Sequence, residues 1–107
     1  MKRIDAVIPE KNFDAVNDAI NLAGATGVTV FNTTGRGKIP QKGIQMGYWM
    51  YYPRFGTNKF ISVLTSDGDA DKIVQAISDS AEAGKIIVTN VETLVDISNK
   101  TTGEQAL

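Results

Sequence analysis

Residues 59–88, KFISVLTSDGDADKIVQAISDSAEAGKIIV, predict a strand, a helix and a second strand in direct succession. The first strand, Lys59 to Thr65, is rich in β-branched and aromatic residues, as strands usually are. Apolar residues then recur at helical spacing from Ala70 to Ala81, so one face of the predicted helix is apolar. The second strand, Ile86 to Val88, is short and wholly apolar, which is typical of a buried strand.

The ends of these elements carry their own signals. We expect Asp69 to cap the helix and Asp71 to lie in its first turn, where the helix dipole favours negative charge. We expect Gly84 to end the helix, because glycine readily adopts the left-handed conformation found at helix C-termini. A short fifth strand is expected within Glu92 to Ile97, and the polar tail after Ser98 is expected to be loosely held.

The N-terminal part of the chain repeats the same order of elements. Ile4 to Ile8 is a short apolar strand, and Gly27 to Thr34 is a second strand of β-branched and aromatic residues. Between them, apolar residues at helical spacing from Phe13 to Ala23 predict a helix, with Asn12 as its cap and Gly24 as its stop. The predicted order is therefore β-α-β, a long loop, and β-α-β.

This order is typical of an α+β, ferredoxin-like fold (βαββαβ), with an antiparallel sheet and two helices on one face. A length of 107 residues fits one domain, because domains usually have about 100–150 residues, so we interpret residues 1–107 as a single domain. Apolar residues occur on both faces of the strand at residues 59–65. The sheet face away from the helices therefore needs a cover, and we expect self-association.

The segment from Gly35 to Thr57 lacks a clear helical or strand period, and glycines and prolines interrupt it throughout. Loops of this length in small domains are usually functional or disordered, and we expect a long mobile loop at about residues 38–57. The middle of the loop, Tyr48 to Tyr52, is strongly aromatic. Two alternatives remain open: the aromatic run pairs as an arm of a hairpin, or it is a contact surface for a partner.

Charge is unevenly distributed along the chain. The formal net charge is −1, yet no acidic residue occurs between Asp18 and Asp67. That window contains these basic residues: Arg36, Lys38, Lys42, Arg54 and Lys59. The stretch Gly35-Arg36-Gly37-Lys38 combines two cations with glycines, whose backbone amides can approach an anion, so we expect a negatively charged, phosphorylated ligand. The stretch is neither a P-loop nor a dinucleotide-binding fingerprint, because residues that those motifs require are missing.

The composition excludes several kinds of site. Without cysteine the chain has neither a disulfide nor a thiolate metal site, and without histidine it lacks the commonest general base. We predict no metal site and no catalytic residue. No apolar run reaches the length of a membrane span, and the N-terminus has no apolar signal-peptide stretch, so we expect a cytoplasmic protein.

Several stretches of the sequence resemble the PII signal-transduction proteins. They are MKRIDAVI at residues 1–8, GATGVTV at 24–30, Gly35-Arg36-Gly37, GKIIV at 84–88 and the ending Thr102-Gly103-Glu104. The resemblance spans nearly the whole chain. It implies a ferredoxin-like homotrimer that regulates rather than catalyses, binds ATP or ADP in clefts between subunits, and extends a mobile T-loop to partner proteins.

The resemblance also implies a set of nucleotide-binding residues. They are Gly27, Val28, Thr29, Ser62 and Val63 around the adenine and ribose, Gly35, Arg36 and Gly37 at the loop base, and Lys38, Gly84 and Lys85 at the phosphates. The implied ligands are ATP, ADP or AMP, with or without Mg²⁺, and no cofactor is required. The implied partner loop contains Lys42, Tyr48, Trp49, Tyr51, Tyr52 and Arg54. Its expected target is a protein such as a membrane transporter or a metabolic enzyme.

The sequence departs from the PII pattern near the implied phosphates. The loop that ends at Lys85 is several residues shorter than in the family, so part of its phosphate cradle is missing. The two arginines of the family's penultimate strand fall on Asp96 and Ser98, and the lysine that pairs with 2-oxoglutarate falls on Thr57. These changes predict weaker triphosphate binding, in favour of ADP or AMP, and argue against 2-oxoglutarate sensing.

Other functions of the same topology remain as alternatives. An acylphosphatase-type hydrolase would need an arginine-bearing phosphate loop near residue 10, where Pro9-Glu10-Lys11 stands instead, and no nucleophile–base pair is evident. An RNA-recognition sheet would need exposed aromatics on its central strands, for which Phe31 and Phe60 are the only candidates. Because the net charge is also slightly acidic, we expect no nucleic-acid partner. A receptor for another nucleotide second messenger is a further alternative.

Overall fold

The structure, a computed structural model, describes residues 1–38, 42–53 and 55–107. In these residues the elements are β1 (Lys2–Pro9), α1 (Phe13–Leu22), β2 (Thr29–Gly35), β3 (Ile44–Met46), β4 (Trp49–Tyr51), β5 (Gly56–Thr65), α2 (Asp67–Ser80) and β6 (Lys85–Asn90). A short 3₁₀ turn precedes α1 at Glu10–Asn12, and another lies at Gly103–Ala106. Neither helix in the described part of the chain is long and apolar enough to cross a membrane.

Four strands form one antiparallel sheet in the order β2-β5-β1-β6. On β1, Ile4 is paired with Val63 of β5 and with Val88 of β6. Because neighbouring residues of a strand point to opposite faces, Ile4, Ala6 and Ile8 share one face of the sheet. Both helices cover that face, so the predicted α+β, ferredoxin-like fold is confirmed.

The core lies between the helices and this covered face of the sheet. Its buried apolar members are Ile4, Ala6, Ile8, Ile61 and Val63 from the strands and Val16, Ile20, Ala70, Ile73 and Ile77 from the helices. The other face, called here the open sheet face, carries Arg3, Asp5 and Val7 of β1 and the residues that pair with them. Three of its apolar side chains are substantially exposed: Phe31, Leu64 and Ile87.

The start of α2 differs from its prediction. Ser66, with extended backbone angles, is the N-cap, whereas Asp67 and Asp69 both lie in the first turn of the helix. The Ser66 hydroxyl donates a hydrogen bond to the Asp69 carboxylate (3.3 Å), and the N-terminal ammonium lies 2.8 Å from the Asp67 carboxylate. The predicted Asp69 cap is therefore wrong, because the segment before it is already helical.

Helix ends were predicted with mixed success. Gly24 has φ +99° and donates its backbone N–H to Asn21, so it is the predicted stop of α1. Helix α2 instead ends at Ser80, because the chain becomes extended at Ala81, and the predicted stop at Gly84 is wrong. Asn12 occupies the cap position of α1, but its side chain accepts a hydrogen bond from the backbone N–H of Glu82 (3.3 Å).

The C-terminal segment also differs from its prediction. Instead of a fifth strand in residues 92–97, there is a single bridge between Val95 and Thr102. The polar tail is held by backbone hydrogen bonds from Lys100 to Asp96 (2.8 Å) and from Gly103 to Leu94 (2.9 Å). The prediction of a loosely held tail was wrong because these contacts close a turn that has no strand or helix periodicity.

Candidate functional site

The predicted adenine and ribose residues border a surface cavity of about 390 Å³. The cavity is lined by Gly27, Val28, Thr29 and Ser62 together with Arg3, Thr26, Leu64 and Leu107. Thr29 and Ser62 lie side by side because they are direct partners in the β2–β5 ladder. The predicted residue Val63 is not among the lining residues, because its side chain is buried in the core under the helices.

Arg3 places a positive charge at this cavity, which the sequence did not predict. Its Nε donates a hydrogen bond to one carboxylate oxygen of Asp5 (3.0 Å), and its Nη2 lies 2.8 Å from the same oxygen in an ion pair. The Arg3 side chain is half exposed, whereas Asp5 is buried, and the second Asp5 oxygen has no hydrogen-bond partner among the described residues. The charge of Asp5 thus holds Arg3 against the open sheet face, beside Thr29 and Ser62.

Leu107 is the other lining residue that could not be found from its neighbours in sequence. The 3₁₀ turn at Gly103–Ala106 returns the chain to the sheet and brings Leu107 beside Arg3 and Leu64. No periodic pattern in the sequence pointed to this return; the turn begins at Gly103, which has φ +71°.

The predicted phosphate residues Gly84 and Lys85 line a second cavity, of about 220 Å³. It lies between the end of α2 and the start of β6, with Ile8 of β1 in its wall. Gly84 enters the strand with φ +125°, and Lys85 pairs with Val7 of β1. The short connection from Ala81 to Gly84 therefore forms a tight turn against β1.

A negative charge also lines this second cavity. Glu82 lies 2.5 Å from the ammonium of Lys11, and that hydrogen bond lowers the pKa of the Glu82 carboxyl and raises the pKa of Lys11. The charge of Lys42 lowers the pKa of Glu82 further. The cavity that contains Lys85 is therefore lined by an ionised carboxylate as well, whose charge opposes that of Lys85 and is itself paired with Lys11.

The predicted loop base lies at the end of β2. Gly35 is the last residue of the strand and pairs with Gly56, the first residue of β5. Arg36, Gly37 and Lys38 follow without regular secondary structure and are exposed. Two cations and the intervening glycine are therefore accessible at the end of β2.

Lys59, another basic residue of the stretch between Asp18 and Asp67 that has no acidic residue, makes contacts within the fold. Its ammonium lies 5.6 Å from the ring centroid of Phe13 and 3.9 Å from Glu10, and it donates a hydrogen bond to Asn32. Only 20 % of its side chain is exposed. Lys59 therefore joins β5 to β2 and α1, whereas Arg36, Lys38 and Lys42 are exposed.

The cavity residues beside Thr29, the loop base at Gly35 and the predicted phosphate residues Gly84 and Lys85 do not meet within one chain. Thr29 and Gly35 lie at opposite ends of β2, about 20 Å apart at the usual rise of a strand. Lys85 pairs with Val7, and Val7 pairs with Phe60, so Lys85 lies two residues from Thr29 and four residues from Gly35 along the strand direction. Strands β6 and β2 are the two outer strands of the sheet, about 14 Å apart. Within one chain, the cavity residues and the predicted phosphate residues therefore occupy separate regions of the sheet.

The described part of the long loop forms a hairpin. Strands β3 and β4 pair Ile44 with Tyr51, Gln45 with Met50 and Met46 with Trp49, and Gly47 (φ +63°) lies in the turn. The hairpin alternative is therefore confirmed. The predicted contact residues Tyr48, Trp49, Tyr51 and Tyr52 are all exposed, Tyr48 completely. Lys42 precedes the hairpin and is exposed, whereas Arg54 lies outside the described residues.

No group of three or more acidic side chains in the described ranges is arranged to hold a metal ion. Asp67 and Asp69, which are close in sequence, belong to the first turn of α2. Their hydrogen-bond partners are the N-terminal ammonium and Ser66.

Comparison with known proteins identifies the family. The family model described as "Nitrogen regulatory protein P-II" matches residues 1–101. The chain is 32% identical over 114 positions to the nitrogen regulatory protein P-II of Rhizobium meliloti, with 100% of both chains covered. It is 32% identical over 111 positions to the nitrogen regulatory protein P-II 1 of Methanothermobacter thermautotrophicus, covering 97% of this chain and 92% of that one.

A further relative is the nitrogen fixation nifHD region GlnB-like protein 1 of Methanothermobacter marburgensis. It is 36% identical over 86 positions, which cover 80% of this chain and 78% of the relative. Together with the matching order of strands and helices, these similarities establish that the chain belongs to the nitrogen regulatory protein P-II family.

Proposed function

We propose that this protein is a regulator that binds an adenine nucleotide between two of its copies and signals the bound state through its loop hairpin. Membership of the P-II family supports a regulatory, signal-transduction role rather than a catalytic one. Beyond that role, we propose the kind of nucleotide that binds, the assembly of copies that binds it and the kind of partner that is regulated.

One observation carries the proposal: the implied binding residues are divided between two regions of the sheet. The 390 Å³ cavity beside Thr29 and Ser62 suits a base and a ribose, because it combines apolar walls with hydroxyl groups. Lys38 follows the far end of β2, and Lys85 lies on β6, the outer strand on the other side of the sheet from β2. A complete site then consists of the cavity of one copy and the cations of its neighbour.

The open sheet face supports assembly into the proposed homotrimer. Phe31, Leu64 and Ile87 expose 56 %, 37 % and 51 % of their surface there, although a small domain gains stability by burying such side chains. The buried Asp5 has an oxygen without a partner on this face among the described residues. A neighbouring copy would bury the apolar side chains and offer donors to Asp5.

The charges near Gly84 support a preference for nucleotides with few phosphates. Lys85 is accompanied by the ionised Glu82, and the connection between α2 and β6 is short. Each added phosphate would bring more negative charge toward Glu82. We therefore propose ADP or AMP as the favoured ligand over ATP, with or without Mg²⁺.

The hairpin is the proposed output element, because Arg36 and Lys38 lie directly before it in the chain. Phosphates that bind these cations would fix the loop base and so change how the hairpin is presented, which is an order–disorder type of switch. The proposed partner is a membrane transporter or a metabolic enzyme reached from the cytoplasm.

Calorimetric titration of the intact protein with ATP, ADP and AMP, with and without Mg²⁺, tests the proposal. Binding of at least one of them is expected, and its loss is expected in the double variant Lys38→Ala, Lys85→Ala. Lys72→Ala is the matched control, because Lys72 is exposed on α2, next to Asp69. If no adenine nucleotide binds at millimolar concentration, or if the double variant binds as well as the parent, the proposal is wrong.

A further inference from the structure

The two faces of the hairpin differ in their composition. Because side chains alternate along a strand, Ile44, Met46, Trp49 and Tyr51 share one face, which we call the apolar face. These four side chains are 52 %, 59 %, 79 % and 53 % exposed. Two cross-strand pairs, Ile44–Tyr51 and Met46–Trp49, thus form a continuous apolar patch that projects into solvent.

The opposite face of the hairpin is partly covered by its own side chains. A Cβ built on Gly43 would lie 2.6 Å from Cε of Met50 and 2.7 Å from Cε1 of Tyr52, so both side chains lie over the backbone of Gly43. Gln45 donates a hydrogen bond to the carbonyl of Gly47 on the same hairpin. Met50 and Tyr52 are nevertheless 47 % and 67 % exposed, so this face differs from the apolar one mainly by containing Gln45 and Gly43 in place of apolar side chains.

The apolar face needs a partner for physical reasons. Strands β3 and β4 form a separate two-stranded sheet, and such hairpins are marginally stable in water without a further layer. The molecule measures 58 by 25 by 21 Å, and its radius of gyration of 16.5 Å exceeds the value of about 13 Å expected for a compact chain of this length. Exposed apolar patches of this kind mark interaction surfaces.

The charges of the surrounding sequence indicate what the partner is. Residues 43–53, GIQMGYWMYYP, contain no charged group, and the acid-free window around them holds five cations. Arg36, Lys38 and Lys42 are exposed. A second hairpin of the same chain would carry the same excess of positive charge and be repelled, whereas a surface rich in negative charge would be attracted.

Tryptophan and tyrosine favour the headgroup level of a bilayer, and aliphatic side chains such as Ile44 and Met46 favour its hydrocarbon.

We propose that the apolar face of the hairpin inserts into the interfacial region of an anionic lipid bilayer. Insertion would bury Ile44, Met46, Trp49 and Tyr51, and the exposed cations would stay near the lipid phosphates. The inference rests on the hairpin being the output element of the proposed function, but it does not depend on nucleotide binding. Vesicle binding without nucleotide binding would refute the proposed function alone. Nucleotide binding without vesicle binding would refute this inference alone.

Trp49 is the single tryptophan of the chain, so its fluorescence reports on the proposed contact directly. The test uses the intact protein with vesicles of phosphatidylcholine alone or mixed with phosphatidylglycerol. We expect a blue shift of Trp49 emission and protection from an aqueous quencher only with the anionic vesicles. High salt should weaken the binding, because the Debye length falls from about 10 Å at 0.1 M to about 3 Å at 1 M.

Two matched variants test the face assignment. Met46→Gln changes the apolar face, whereas Met50→Gln makes the same change on the opposite face of the same hairpin. We expect Met46→Gln to bind anionic vesicles at least about fivefold more weakly, since one large apolar side chain contributes that much or more when buried. Met50→Gln should bind as the parent does. Circular dichroism and light scattering check that both variants keep the fold and the assembly.

Three results would overturn the inference. Trp49 emission that is unchanged by anionic vesicles would exclude lipid and leave a protein surface as the partner of the hairpin. A blue shift that grows with protein concentration in the absence of lipid would indicate a second copy instead. Equal losses in Met46→Gln and Met50→Gln would show that the apolar face is not the contact.

Discussion

The backbone of Gly84 lies directly against the carbonyl oxygen of Val7, which is 1.9 Å from the position that a Cβ on Gly84 would take. Gly84 also has φ +125°, a conformation that residues with side chains rarely adopt. This contact fixes the entry into β6 beside β1, and with it one wall of the cavity that contains Lys85.

Replacing Gly84 by alanine should therefore destabilise the fold. The strained φ and the forced displacement of the β1 backbone together should lower the free energy of unfolding by about 2–5 kcal/mol. Gly68→Ala is the control, because nothing lies within 4 Å of its Cβ position and it lies in the first turn of α2. Urea denaturation of both variants checks the prediction, which fails if the two lose similar stability.

The role of Gly84 could be predicted from the sequence only in part. A glycine at this point signalled an unusual backbone conformation, but sequence alone assigned it to the end of α2. The actual reason is a tertiary contact with Val7, to which no local pattern points. The same limit applies to Ser66, since it and the nearby aspartates at residues 67, 69 and 71 are all residue types that can cap a helix.

The regular elements were predictable because their apolar residues have a clear period. The core residues from Ile4 to Ile8 and from Ile73 to Ile77 follow strand and helix spacing, and they are buried as expected. The C-terminal turn lacks such a period, so its return to the cavity at Leu107 could not be predicted. Site residues followed from the resemblance, but their separation into two regions required the sheet register.

The open sheet face should be the surface that joins the copies. Ile87→Asp places a charge on this face and should weaken association by about 2 kcal/mol or more per contact, as seen for central interface residues. Leu22→Asp is the control, because Leu22 is 91 % exposed on α1, away from this face. Light scattering should show a reduced mass for Ile87→Asp alone, and an unchanged mass would mean that assembly uses another surface.

The C-terminal turn should respond to acid through Asp96. Hydrogen bonds from the side chain and backbone of Ser98 lower the pKa of Asp96 below its ordinary 3.8. Because the folded pKa is depressed, this stabilisation is fully present above the ordinary value and is lost as the pH falls through the lowered one. Ser98→Ala should raise the pKa of Asp96 in a carboxyl-carbon NMR titration.

The matched control for this titration is Thr101→Ala. The Thr101 hydroxyl donates its hydrogen bond to Asn99 and not to Asp96, so its removal should leave the pKa of Asp96 unchanged. An Asp96 carboxyl that titrates at the same pH in the parent and in Ser98→Ala would contradict the assigned cause.

Glu82 should select against long phosphate chains. Glu82→Gln removes the negative charge beside Lys85 and should raise the affinity for ATP by up to about fivefold, with a smaller effect on AMP. Glu92→Gln, a change of the same charge after the far end of β6, should alter neither affinity. Calorimetric titration provides the measurement, and equal gains for ATP and AMP would show that Glu82 does not face the phosphates.

The central claim is that each nucleotide site combines two copies, and mixed assemblies test it most directly. Gly27→Leu should fill the cavity without disturbing the fold, because nothing lies within 4 Å of its Cβ position. The double variant Lys38→Ala, Lys85→Ala should remove the phosphate contacts. Neither protein alone should bind nucleotide.

After the two variants are unfolded and refolded together in equal amounts, binding should return in about a quarter of the clefts, because random cyclic assembly pairs two intact halves at that frequency. Calorimetry of the mixture measures this fraction against the parent protein. Recovery of binding is the predicted result. A mixture that binds no nucleotide, although light scattering shows the parental mass, would contradict a site shared between copies.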